Sequence, residues 1–574
     1  MRPLSRAIAL ALLTTAALFG QLTTDQKMSD FMNVVAVYDK NYGPYEWKVL
    51  AFGFDLLNIA PWIDKVVATK NDLDFYEVMV SYIASLNDAH DSYQAPSNFT
   101  AGLNFFVDIY DAKLLVDNIN RSRLPAAEFP FVNGYELVSI DGQDAQKILD
   151  GLLQYQIAAN PRSTRRLAAQ LLTIRPQGIM PHATDVPEIS TVLFRRPDGG
   201  LEAYRIPWTK SGLPLTSVGR YITPFPIAQA RMRSGARIDD EPEPDPDAEP
   251  DYMQPLHALW NCKLPDRAVN GFGSQFPIFV NSLPAGFKLR LGGSSADVFF
   301  SGTFVSGKYT IGFIRIPSYS PSNTTTALAA FQKEIDFFKN NTDGLIVDEM
   351  RNPGGSVSYL NRLTSSLMPQ TWRSIPFEVR ATSNLIASIS SSYESAKAQG
   401  APQSILDQFL FIKDALVSAN RANRGRTVPI PLDDVVIDRS PAMDSKGNVI
   451  AYDKPIMVLV DEMTASGGDA FAATIQDNAR GTLLGFRTMG AGGNVVGWEA
   501  GDYSLGSVTL TQSLMNRKNP IVTSDYPTAP YVENIGVRPE LSVDYMTRDN
   551  LLQNGKPFVD AFVAAMTDYI QKNK

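Results

Sequence analysis

The chain has 574 residues, 20 % charged and 44 % hydrophobic, with 39 Gly and 38 Pro. This length suggests about three domains, and the composition excludes collagen-like, coiled-coil and wholly disordered classes. The net charge of −8 argues against a nucleic-acid partner, which needs a basic face, and eight acids with no base lie in the single stretch DDEPEPDPDAEPD at 239–251, without which the chain is neutral.

From the N-terminus, Arg2 and Arg6 precede a short apolar run over 7–20. The run is too short to span a bilayer and has the form of a secretory signal, which predicts an exported protein, periplasmic or secreted, with no stable membrane insertion. Asn-x-Ser/Thr sequons stand at Asn98, Asn120, Asn323 and Asn340. Residues 21–95 read as helical. In DLDFYEVMVSYIASLNDAH, Phe75, Val78, Met79, Tyr82 and Ile83 recur at helical spacing, with Asp72 as the expected N-cap and His90 in the loop beyond the helix.

Residues 96–234 alternate short strands and turns, as a compact β-rich module. FVNGYELVSIDGQDAQKIL (131–149) predicts a strand, an Asp-Gly turn and a helix opened by Asp144; STVLFRRPDGGLEAYRI (190–206) predicts a hairpin. The acidic, Pro-rich stretch 235–255 cannot bury apolar surface and reads as an extended linker. Residues 256–574 then alternate strand and helix signals. Near-continuous apolar runs at 310–319, 343–350, 455–461 and 481–488 predict strands covered on both faces; helical patterns at 324–340, 355–368, 403–419 and 468–479 complete an α/β layout.

Two turns in this last region carry chemistry. PIMVLVDEMTASGGDAF (455–471) predicts a buried strand, a small-residue turn and a helix, so that Ser466 sits at a helix N-terminus. Unpaired amides and the helix dipole favour developing negative charge there, and Gly467 lets a carbonyl approach its N–H, as an acyl-transfer nucleophile requires. Serine is also a common helix cap, and this alternative stays open on the segment alone. DGLIVDEMRNPGG (343–355) runs a second buried strand into Gly354 and Gly355, whose amides suit an oxyanion hole or an ordinary turn.

Together these segments resemble the tail-specific, carboxy-terminal-processing serine peptidases and their tricorn-type relatives. GFIRIPSY (312–319), ENIGVRPEL (533–541), SLNDAHDSY (85–93) and NGYELVSIDGQDA (133–145) are similar, in the same order, to further elements of that family, the last to its PDZ-like domain. The resemblance implies an α/β core with a crotonase-like or ClpP-like layout, a PDZ-like domain and an N-terminal helical region. It also implies a serine endopeptidase acting on polypeptides, without metal or organic cofactor. One departure matters. Family members with a Ser–Lys dyad carry a Lys after the nucleophile's helix, whereas RTMGAGGN has Ala491 at that place, and no Lys lies between Lys454 and Lys518.

The resemblance therefore shifts to the branch that uses Ser, a distant His and a Glu, most similar to the chlamydial protease-like activity factors. It implies His90 as general base and Glu533 as the carboxylate that orients it, with Gly467 and Gly354 or Gly355 as the oxyanion hole. His257 is the reserve base and His182 a solvated side chain. Asp91 is too close in sequence to His90 to orient it; Gln476, Asp477, Asp348 and Glu349 read as structural or rim residues. In that branch the interval holding the acidic segment is cut before activity and the chain dimerises, which implies self-processing and a homodimer here. The rival reading is a ligand- or peptide-binding protein on the same fold.

Overall fold

The computed structural model describes residues 21–219, 250–264 and 271–573. The expected signal segment and residues 235–249 of the expected linker lie outside these. The linker's last part does not behave as one. Asp251–Met253 is a 3-10 turn and Gln254–Trp260 an α-helix. Tyr252, Met253, Leu256 and Leu259 bury their side chains in the core of the α/β domain. Four apolar side chains in eight residues outweigh the acids before them, so the linker ends near Pro250 rather than at 255.

The last domain is built on a seven-stranded sheet. Its strands run, edge to edge, Lys288–Leu291, Phe300–Ser306, Tyr309–Arg315, Gly344–Asp348, Ile456–Val460, Thr482–Gly485 and Leu541–Ser542. The first three form an antiparallel meander and the rest are parallel. Alternation within the apolar runs explains their continuity. Leu345, Val347, Val458 and Val460 face Phe331, Ile335, Leu360 and Phe471 of three helices, Thr324–Asn341, Val357–Ser365 and Gly467–Asp477. Ile346, Met457 and Leu459 face Phe558, Phe562 and Met566 of the helix Lys556–Lys572. With both faces covered, each large apolar side chain contributes about 1.5–3 kcal/mol. All four expected strands and all four expected helices are present within a few residues of their predicted ends. The helix Ser383–Ala398, which packs on Gln403–Arg421, was not expected.

The middle domain is a six-stranded antiparallel sheet with the helices Ala145–Leu152 and Pro161–Gln170 against it. Asp144 caps the first of these by accepting from Lys147 N at 3.0 Å, and Ile189–Arg195 and Leu201–Pro207 form the hairpin, as expected.

The N-terminal region comprises the helices Thr24–Asn41, Tyr45–Phe52, Ala60–Ala68 and Asp72–Ala84. It is no separate unit: Phe31, Val34, Tyr38, Phe75 and Met79 share one core with Val508 and Leu510 of the last domain. The cap of the fourth helix is Asn71, which accepts from Asp74 N at 2.8 Å, not Asp72. Asp72 is buried and accepts from Leu22 N (2.8 Å) and Ser217 Oγ (2.6 Å), tertiary bonds that outbid a local cap. Among the described residues no helix is long and apolar enough to cross a membrane.

Candidate active site

Strand Ile456–Val460 ends in the turn that carries Ser466. The turn is tied on two sides: Ala465 N donates to Asn352 O (2.9 Å) and Met489 N to Thr464 O (2.8 Å). Ser466 itself has φ 58° and ψ −110°, a strained backbone for a residue with a side chain. The strain is held by Asp469, whose carboxylate accepts from Ser466 N (2.8 Å), Gly490 N (2.9 Å) and Ala491 N (3.0 Å), and from Thr488 Oγ1. Burial pushes this carboxyl up to about 6, against the pull of those four donors. The position at which the family's dyad would place a lysine thus presents a backbone amide to the helix's first turn.

Gly354 and Gly355 press against the same turn. Gly354 has φ +90°, and a Cβ there would lie 2.2 Å from Cys262 O, 2.5 Å from Gly467 N and 2.9 Å from Ser466 Cβ. A Cβ on Gly467 would meet Gly355 N at 3.0 Å. The two candidate oxyanion elements are therefore in contact, and only glycine fits between them. The Gly354 N–H donates to Asn352 Oδ1 (2.8 Å), and Gly355 pairs with Cys262 in the antiparallel ladder of Asn261–Lys263 with Gly354–Ser356, which leaves Gly467 as the candidate amide.

His90 comes from the N-terminal region. Beyond the helix Asp72–Ala84, Asn87 takes a positive φ and Ser92–Gln94 pairs antiparallel with Ser507–Thr511. Thr509 Oγ1 donates to His90 O (2.6 Å), Thr511 N to Asp91 Oδ1 (3.0 Å) and His90 N to Asp88 Oδ1 (3.0 Å). The buried ring places Nε2 2.7 Å from Ser466 Oγ across 376 residues of sequence, and Nδ1 3.4 Å from Thr511 Oγ1.

Behind the ring lies a buried charged cluster. Lys48, on the helix Tyr45–Phe52, donates to Glu533 Oε1 (2.6 Å), Asn87 O and Asn534 Oδ1 (both 2.8 Å), and stands 3.9 Å from Asp88 Oδ2. Glu533 Oε2 accepts from Gly492 N (2.8 Å). Glu533 therefore sits in the cluster, but its two oxygens engage Lys48 and a backbone amide. Burial, then the neighbouring Asp88, raise its carboxyl above the usual range, and Lys48 opposes them. Asp91 is raised well above that range by burial and Asp88.

The other residues singled out in the sequence lie elsewhere. His182 is partly exposed, near Asp74 and Asp185 (3.4 and 3.3 Å). His257 lies against Trp260, ring centroids 5.1 Å apart. Asp477 pairs with Arg517 (2.7 Å), and Gln476 bonds Arg538 O and Arg517. Asp348 and Glu349 are buried and structural rather than rim residues, on Arg315 (3.0 Å) and Tyr319 (2.8 Å). Lys48, Asp88 and Thr511 were not foreseen. A lone lysine among aromatic residues and a threonine in a strand leave no local mark of such a site.

Residues 310–523 match the model of peptidase family S41, and residues 100–214 that of a PDZ domain. A protein of Chlamydia pneumoniae is 23% identical over 652 residues, covering 99% of this chain and 94% of the relative. One of Chlamydia trachomatis is 26% identical over 573 residues, covering 90% and 88%. Among solved structures, mature CPAF complexed with lactacystin superposes with a TM-score of 0.72 at 21% identity, over 96% of this chain and 99% of that one. The fold expected from the sequence is thereby matched along its length. The chain carries a peptidase family S41 domain and a PDZ domain, the domain pair of a serine-type endopeptidase.

Proposed function

We propose that the chain hydrolyses peptide bonds through an acyl-enzyme on Ser466, with His90 as general base. The observation that carries this is the 2.7 Å contact of His90 Nε2 with Ser466 Oγ on a turn of glycines and strained backbone. His90 takes the hydroxyl proton as Oγ attacks the carbonyl carbon. The amide of Gly467, with the dipole of the helix Gly467–Asp477, holds the developing oxyanion. The intermediate collapses as the imidazolium protonates the leaving amine, and water, activated by the same ring, releases the acid. Glu533 and Asp88 supply the negative charge that balances the imidazolium, with Lys48 fixing their positions. Polypeptides are the substrates, and the N-terminal Arg2, Arg6 and apolar run support action outside the cytoplasm.

Labelling with a fluorophosphonate tests the reading. Wild type is labelled; Ser466→Ala and His90→Ala are not. An unlabelled wild type overturns the proposal in favour of a binding protein on this fold. Labelling that persists in Ser466→Ala moves the nucleophile elsewhere.

A further inference from the structure

Thr511 ends the strand Ser507–Thr511, buried, with every polar group engaged. Its N–H donates to Asp91 Oδ1 (3.0 Å), its C=O accepts from Gly43 N (2.9 Å), and its hydroxyl donates to Asp88 Oδ1 (2.9 Å). The same hydroxyl oxygen stands 3.4 Å from His90 Nδ1. A hydroxyl has one proton. With that proton on Asp88, the oxygen faces Nδ1 as an acceptor and matches a protonated Nδ1. Nε2 is then left with its lone pair toward Ser466 Oγ, the tautomer a general base needs.

We propose that Thr511 and Asp88 are positioning residues for the reaction on Ser466, a hydroxyl–carboxylate relay that holds His90 in its base tautomer and stabilises the imidazolium. This rests on the reading of Ser466 and His90 above and adds to it the groups that act on the ring's far side. No proton is passed on: Nδ1 keeps its hydrogen throughout, and the relay polarises the chain Nδ1–H to Oγ1–H to Asp88. Asp88 is fixed in turn by Tyr42 Oη (2.9 Å) and by the amide of His90.

The test uses full-length protein, its fluorophosphonate labelling rate from pH 5 to 9 and its hydrolysis of fluorescein-labelled casein. Thr511→Val keeps the shape and removes the hydroxyl; Thr511→Ser does the reverse. The relay predicts labelling of Thr511→Val slowed about 10–100-fold, the factor for a lost hydrogen bond to a charged group. KM for casein should change little, and Thr511→Ser should stay near wild type. The pH profile gives the sign. Losing the relay disfavours the imidazolium, so the acid limb of Thr511→Val moves to lower pH. The other groups facing the ring region are unchanged in that variant: Asp91 on the same loop, Lys48 on the helix Tyr45–Phe52, Tyr38 and Tyr42 at the first helix, and Glu533 before the edge strand Leu541–Ser542. If Thr511→Val fails to fold, Thr511→Ala against Thr511→Ser makes the same comparison. The proposal is overturned if the valine variant labels at the wild-type rate with an unmoved acid limb while His90→Ala is unlabelled. It is equally overturned if serine is the impaired variant and valine the active one, since packing alone then explains the position. An unlabelled wild type removes the relay together with the reading it rests on.

Discussion

Ser466 and His90 meet at 2.7 Å, yet they are held by opposite means. Ser466 is held locally. Its strained backbone is clamped by a carboxylate three residues on, and two neighbouring turns close the space around it. His90 is held from a distance, by a strand more than 400 residues away in sequence and by a buried lysine from another helix. A site can therefore fail in two ways. A defect in the local half distorts one turn, and a defect in the distant half unseats a whole region.

Three substitutions separate these failures. Gly354→Ala attacks the local half most severely. Its Cβ would fall 2.2 Å from Cys262 O at a φ of +90°, and overpacking with a left-handed backbone together cost on the order of 4 kcal/mol. Activity and the denaturation midpoint should both collapse; a stable, active variant would show that the turn has room. Lys48→Met attacks the distant half. It leaves Glu533 and Asp88 buried without their cation, a loss of about 3–5 kcal/mol. Hydrogen exchange should quicken over residues 85–94 and 533–534 and stay slow over 461–470. Adding Glu533→Gln should recover part of the loss, and strict additivity would deny the pair.

Asp469→Asn is the mildest. The carboxyl sits at about 6 in the folded chain, above the ordinary 3.8. A raised carboxyl favours the folded state most when protonated, so this contribution is complete below about pH 4 and declines as pH rises through 6. The asparagine variant lacks that decline. Its stability relative to wild type, from urea unfolding at pH 5 and pH 7.5, should improve at the higher pH while its labelling rate falls. A pH-independent difference would remove the assigned titration.

The same division explains what was legible in the sequence. The central strands could be read because both faces are buried and the apolar runs are unbroken. Ser466 could be read because strand, small-residue turn and helix are contiguous. His90 sits between two aspartates on a loop, where a solvated side chain is the ordinary expectation; only family resemblance and the alanine at 491 singled it out. Thr511 and Lys48 were beyond reach, since their partners lie 421 and 485 residues away. The cap at Asn71 was misplaced by one residue for a related reason. Asp72 has equal local propensity, but distant donors claim its carboxylate.

The pairing of Ser92 with Thr509 has a consequence for synthesis. Chains emerge from the N-terminus, and early segments fold as their partners become available. The first helices and the histidine loop have to wait for a strand made near the end, and Lys48 for a glutamate made later still. A chain that stops short of Thr511 holds Ser466 and His90 but lacks the strand that seats the histidine loop. The contact of Ser466 with His90 thus depends, by topology, on nearly the whole chain.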